Sequence, residues 1–195
     1  MMKMNLPNKL TVLRIIATPV FMLALIWEDI PWHFTAALIL FIAASVTDFI
    51  DGKYARKHNM VTDFGKFLDP LADKMLTTAA LVGFVASGIG TGTEWILFIV
   101  LFREFLIASL RLVAVSSGGK VIAANLWGKD KTVVQMIAII YTIFAEIVIS
   151  YIGSGLTADI LHVFTDLLLW ASAILAIISG VIYLFVNLKS VDFNK

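Results

Sequence analysis

Apolar residues run along this chain in six long blocks, at about residues 10–27, 33–55, 69–88, 94–116, 130–151 and 160–187. A helix needs roughly 20 mostly apolar residues to cross a bilayer, and each block is close to that length. None shows the ~10-residue alternation of apolar and polar positions that marks a membrane barrel strand. The pattern predicts six transmembrane helices. The breaks carry turn residues: GIGTGTE at 88–94, SSGGK at 116–120 and IGSG at 152–155. No internal repeat is evident, and the polar remainder leaves no room for a second domain. Residues 1–195 are therefore expected to form a single membrane-embedded unit.

The first block contains Arg14 and lacks a small-residue cleavage site, so it is expected to be retained rather than removed as a signal segment. The stretch leading into it, NLPNKLTVLR, has the character of a helix that begins at the membrane surface.

Composition agrees with the pattern. Hydrophobic residues make up 60% of the chain, against about 45–50% for an average soluble domain. The mean hydropathy is +0.94. There is no cysteine, which excludes disulfides and thiolate metal sites. A net charge of +1 gives no bulk attraction to nucleic acid.

The placement of charge says more than its sum. With six spans, the connections near 28–32, 88–94 and 152–159 share one side of the membrane. They contain no Lys or Arg, only Glu28, Asp29, Glu94 and Asp159. The opposite side carries Lys3, Lys9, Lys53, Arg56, Lys57, Lys66, Lys120, Lys129, Lys189 and Lys195. The positive-inside rule makes that side cytoplasmic, with both termini there. Trp27, Trp32, Trp95 and Trp127 fall near span ends, as an interfacial belt would, and Trp170 reads as packing.

One stretch does not fit a purely lipid-facing chain: DFIDGKYARKHNMVTDFGKFLDPLAD, residues 48–73. Asp48 and Asp51 lie three apart, Asp69 and Asp73 four apart, so each pair shares a helix face. Asp51 alone could be a helix-end residue. Asp69 before Pro70 suits a helix cap followed by its first turn, and Asp63 reads as loop. Asp48 and Asp73, however, fall inside apolar blocks, where a carboxylate is costly and functional by default. Four carboxylates at one depth repel unless cations lie between them. All-oxygen ligands suit Mg²⁺ or Mn²⁺, and four carboxylates can hold two such ions. Gly52 and Gly65 allow close approach of a ligand, and Arg56 can fork onto phosphate oxygens. No P-loop motif occurs.

Asp48, Asp51, Gly52, Ala55, Arg56, Gly65, Asp69 and Asp73 form the pattern D-x2-D-G-x2-A-R-x8-G-x3-D-x3-D. This resembles, without departure, the signature of the CDP-alcohol phosphatidyltransferases, whose six-helix membrane layout it also matches. The resemblance implies a homodimer that displaces CMP from a CDP-linked lipid. It implies that Asp48, Asp51, Asp69 and Asp73 bind two Mg²⁺ or Mn²⁺ ions, and that Asp73 also accepts the proton of the acceptor hydroxyl. Asp51, Gly52, Ala55, Arg56, Gly65 and Asp69 would line the cytidine and diphosphate site.

NLPNKLTVLRI, REFLIASLR at 103–111 and GKDKTVVQM at 128–136 resemble the members that use sn-glycerol 3-phosphate as acceptor. The implied reaction consumes CDP-diacylglycerol at the cytoplasmic face of the cell membrane and serves phospholipid biosynthesis. A dianionic acceptor needs cations, and the candidates are Arg103, Arg111, Lys129, Lys131 and Arg14, with Asn8 and Thr11 beside Arg14. Each also has a plainer reading, as flanking charge or, for Arg103, as a partner of Glu104. Glu146 and Asp166 sit towards the outer halves of their spans and read as interhelical polar contacts or cavity groups, with no role assigned. Two rivals stand beside this reading. One is a sister enzyme that uses inositol phosphate, phosphatidylglycerol or serine as acceptor. The other is a divalent-cation transporter, which would spread its carboxylates through the membrane depth rather than cluster them at one face.

Overall fold

The computed structural model describes residues 5–57, 62–116 and 126–188. Among them the chain is all-helical: α1 (Leu6–Ile26), α2 (His33–Lys57), α3 (Asp63–Ala86), α4 (Thr93–Ser116), α5 (Leu126–Ile152) and α6 (Leu156–Leu188). These six match the six apolar blocks in order. α1, α5 and α6 contain stretches long and apolar enough to cross a membrane by length and composition. α2 has a shorter apolar stretch, His33–Asp48. α3 and α4 carry ionised residues within their length, Asp69, Asp73 and Lys74 on one and Arg103, Glu104 and Arg111 on the other. Large apolar side chains cover the outside of the bundle, among them Phe67, Phe105, Leu112 and Val163. Such a surface is stable in lipid rather than in water.

The helices pack α1 against α2 and α3, α5 against α2 and α6, and α4 against α3 and α6. Small residues let them approach closely: Ala37, Ala72, Ala80, Ala138, Ala145, Ala173 and Ala176 are fully buried. Larger side chains fill the space left over, with Phe21 tilted against Phe41 at 5.4 Å between ring centroids. Gly83 belongs to the same design, because a Cβ there would stand 2.3 Å from Leu25 Cδ2.

One helix start lies where the sequence suggested and one does not. α1 is one continuous helix from Leu6, capped by Asn5, whose side chain accepts from the Asn8 amide at 3.1 Å. α3 begins at Asp63 rather than at Asp69–Pro70, so Asp63 is helical and Asp69 is not a cap. The cap is Thr62, whose hydroxyl accepts from the Gly65 amide at 3.0 Å. That satisfies an orphan donor of the first turn, and the helix then runs through Pro70 about two turns later.

At the far end of the bundle the α3–α4 connection is pinned to α6. Asp166 accepts the Thr91 amide at 2.7 Å, and the Trp170 indole donates to the Thr91 carbonyl at 3.0 Å. Asp166 thus makes a polar contact of the kind expected, and Trp170 ties the same connection to α6.

Candidate active site

The N-terminal half of α1 presents a buried polar stripe, Asn8, Thr11, Arg14 and Thr18, with one residue about every turn. Between α1 and its neighbours α2 and α3, this stripe meets the carboxylates. Arg14 donates to Asp48 through Nη1 and to the Ala44 carbonyl through Nε at 3.1 Å. Thr11 donates to Asp69 at 2.9 Å. The Asn8 amide donates to the Thr62 hydroxyl at 2.9 Å and so holds the first turn of α3 against α1. Asp48 lies within electrostatic reach of both Asp69 and Asp73. The helices thus bring three of the four signature aspartates to one end of the bundle.

Gly65 also has a packing reason. It lies inside α3, and a Cβ on it would stand 2.8 Å from Asn8 Oδ1 and 3.2 Å from Thr62 Oγ1. The close approach it permits is that of α1.

Asp51, Gly52, Ala55 and Arg56 lie on the last turns of α2 and Lys129 lies at the start of α5, but their side chains fall outside the described residues. Among the described residues, no three acidic or histidine side chains are near enough to share one ion as placed. The donor set nevertheless suits a hard cation. Asp48, Asp69 and Asp73 offer only oxygen, and Arg14 is hydrogen-bonded to Asp48. Among the described residues Arg14 bonds to one of this group of three carboxylates and Thr11 to another, and a divalent ion would suit the oxygens left over.

Beside the carboxylates lies a second cluster, built from three helices. Glu104 on α4 accepts from Lys131 on α5 at 2.8 Å, from its neighbour Arg103 at 2.8 Å and from Lys74 on α3. Lys131 is almost fully buried, and Arg103 and Glu104 nearly so. The stem of Arg103 passes over Gly180 of α6, where a Cβ would come within 3.0 Å of it. Both Lys74 and Lys131 are within electrostatic reach of Asp73. Arg111 extends the positive region. Its Nε donates to the Tyr183 hydroxyl at 3.4 Å, and its guanidinium stands 5.8 Å from that ring's centroid.

Of the cations expected at an acceptor pocket, Arg103 and Lys131 meet each other, Arg111 stands close by, and Arg14 lies against Asp48. Lys74 and Glu104 were not singled out as site residues from the sequence. The signal for both was present, since each is an ionised residue within an apolar helix.

An all-helical bundle with an apolar exterior gathers aspartates at one end beside a nest of cations. A sequence model of the CDP-alcohol phosphatidyltransferases matches residues 4–184, and the chain belongs to that family of transferases. It is 39% identical to the CDP-diacylglycerol–glycerol-3-phosphate 3-phosphatidyltransferase of Bacillus subtilis, over 98% of this chain and 99% of that one. It is 37% identical to the protein of the same name in Rickettsia bellii, over 92% and 93%. A probable phosphatidylglycerophosphate synthase of Mycobacterium tuberculosis is also 37% identical, over 96% of this chain and 83% of the relative.

Proposed function

We propose that the protein transfers the phosphatidyl group of CDP-diacylglycerol to sn-glycerol 3-phosphate, yielding phosphatidylglycerophosphate and CMP for phospholipid biosynthesis. The observation that carries this reading is the juxtaposition of Asp48, Asp69 and Asp73 with the Lys74–Arg103–Lys131 cluster. The first set suits a diphosphate with its metals, and the second suits an acceptor that brings its own phosphate. The names of the relatives agree with it.

The working arrangement is a single domain of six transmembrane helices, with both termini and the site at the cytoplasmic face of the cell membrane. The asymmetry of Lys and Arg between the two sets of connections supports that orientation. The donor's acyl chains then stay in the bilayer while its head group meets the soluble acceptor at the surface. Family resemblance supports a homodimer.

Asp51, Gly52, Ala55, Arg56, Gly65 and Asp69 line the cytidine diphosphate site in this reading. Asp48, Asp51, Asp69 and Asp73 would hold two Mg²⁺ or Mn²⁺ ions, whose chemistry there would be to neutralise phosphate charge. Thr11 and Arg14 fix the carboxylates of Asp69 and Asp48 before substrate arrives. Arg103, Arg111, Lys129 and Lys131 hold the acceptor's phosphate. Asp73 takes the proton from the acceptor hydroxyl as its oxygen bonds to the phosphatidyl phosphorus. The bond from that phosphorus to the bridging oxygen breaks, and the electron pair leaves with CMP. The catalysis is mostly positioning and charge neutralisation, as in phosphoryl transfer generally.

The test is CMP release by purified protein in detergent with Mg²⁺ and CDP-diacylglycerol. The acceptors compared are glycerol 3-phosphate, glycerol, serine, inositol phosphate and phosphatidylglycerol, with Asp73→Asn as the blank. Release with glycerol 3-phosphate alone, lost in the variant, is the expected result. Release with a different acceptor would keep the transferase and overturn the acceptor. Divalent-cation uptake without CMP release would overturn both.

A further inference from the structure

We propose that Glu104 is a positioning residue that gathers Lys74, Arg103 and Lys131 into one anion-binding cluster, and that Lys74 directly binds the acceptor's phosphate. The inference rests on the proposed function and deepens it, since it names residues that neither the signature nor the acceptor motifs assign.

Charge count is the first argument. Lys74, Arg103, Arg111 and Lys131 interact with one another across α3, α4 and α5. The carboxylates facing them are Glu104, hydrogen-bonded to three of the four, and Asp73, within reach of both lysines. Among the described residues these four cations face Glu104 and Asp73, and Asp73 also belongs to the aspartate group, so positive charge predominates in the cluster. A purely structural cluster inside a membrane protein would be expected to balance, because uncompensated charge in a poor dielectric is expensive. A phosphate monoester at neutral pH carries about −1.5 to −2, a charge that a predominantly positive cluster can hold.

Donor geometry is the second. Both oxygens of Glu104 are engaged, Oε1 by Arg103 and Lys131 and Oε2 by Lys74. Each ammonium has three N–H donors, so one bond to Glu104 leaves two on each lysine. Arg103 donates to Glu104 through Nη1, while its buried Nε has no partner among the described residues. Glu104 thus uses one bond per cation and leaves the remaining donors for a ligand.

Flexibility is the third. Half-exposed Lys74 stands at the rim, and without an anchor its long stem would carry the ammonium out to water. Three mutually repelling cations need a carboxylate between them to stay together. Glu104 is that carboxylate, and Lys74 follows Asp73, the proposed proton acceptor, directly in sequence. An acceptor whose hydroxyl meets Asp73 would have its phosphate beside Lys74 and Lys131.

The experiment measures separate KM values for glycerol 3-phosphate and CDP-diacylglycerol in Glu104→Gln, Lys74→Met and Lys74→Arg. The folded state of each is checked by size-exclusion chromatography in detergent. Glu104→Gln and Lys74→Met are expected to raise the KM for glycerol 3-phosphate on the order of tenfold to a hundredfold, as for one lost charge-assisted hydrogen bond. The KM for CDP-diacylglycerol and the kcat are expected to stay near wild type, with Lys74→Arg recovering much of the loss. If Glu104→Gln fails to fold, Lys74→Met decides by the same readout. An unchanged acceptor KM overturns the proposal. So does a lowered one in Glu104→Gln, which would make Glu104 a competitor of the phosphate. The wild-type acceptor panel separates this from failure of the broader reading. If another phosphorylated acceptor is used, the same variants are tested with it, and if only unphosphorylated acceptors are used, the cluster has no phosphate to bind and the proposal falls.

Discussion

Thr11 on α1 donates a 2.9 Å hydrogen bond to Asp69 on α3, across 58 positions of sequence. The hydroxyl is fully buried, and it also lies 3.1 Å from the Pro7 carbonyl one turn back on its own helix. Thr11 therefore sets the direction of a carboxylate that is a candidate metal ligand. Residues in this supporting position typically change metal affinity by about 10–100-fold when lost. Thr11→Val keeps the shape and removes the bond. It is expected to raise the Mg²⁺ concentration for half-maximal CMP release by roughly tenfold, while Thr11→Ser stays near wild type. A Mg²⁺ titration of both variants checks this, and equal requirements would detach Thr11 from the site.

Arg14 performs the same service for Asp48 and adds a bond to the Ala44 carbonyl. Its side chain is 1% exposed, whereas that of Asp48 is 43% exposed. Water can rescue Asp48 if the pair is broken, but Ala44 is buried and would lose a donor. Arg14→Met is expected to cost about 1.5–3 kcal/mol, the range for hydrogen bonds that involve a charged group. Thermal unfolding in detergent measures it. A melting temperature equal to wild type would mean that the guanidinium is held only loosely.

The two aspartate pairs illustrate what a linear reading reaches. Their spacing on helices and their position in apolar blocks disclosed the site, because both are local properties. The partners Thr11 and Arg14 depend on α1 packing against α2 and α3, which no local pattern encodes. Arg14 and Thr11 are legible as candidates in the sequence, as is the ionised character of Lys74 and Glu104, but the bonds that join these residues exist only where the helices converge. The start of α3 was misplaced because Asp69–Pro70 imitates a helix beginning. The competing signal was Thr62, three residues before Gly65.

Gly65 separates packing from helix propensity. Replacing an interior helical glycine with alanine ordinarily gains about 1 kcal/mol. Here the new methyl would press on Asn8 and Thr62, the two side chains that join α1 to the cap of α3. Overpacking costs about 1–3 kcal/mol, so Gly65→Ala is expected to be neutral to destabilising rather than stabilising. Activity should fall with it, because Asp69 lies one turn further along α3. Gly153→Ala is the contrast. Its φ of +72° brings backbone strain, but nothing lies within 4 Å of the new methyl and the site is remote. It is expected to lose stability without losing activity. Gly65→Ala with raised stability and full activity would overturn this account.

The proposed topology can be read directly, because the chain has no cysteine to interfere. Ser154 lies in the exposed connection between α5 and α6, on the side that carries no Lys or Arg. Phe64 is 46% exposed in the first turn of α3, on the side that carries the aspartates. If all six helices cross the membrane, these positions lie on opposite faces. Ser154→Cys is then expected to react with a membrane-impermeant maleimide in intact cells. Phe64→Cys is expected to react only after permeabilisation. The reverse pattern would place the site outside, where CMP release and a cytoplasmic acceptor make no sense. Labelling of both from one side would mean that an odd number of the intervening helices α3, α4 and α5 fails to do what its length and position suggest. The charged residues of α3 and α4 make those two the places to look. Their ionised side chains face one another in the Lys74–Glu104 cluster, and that pairing lets helices of modest hydropathy remain inside a bilayer.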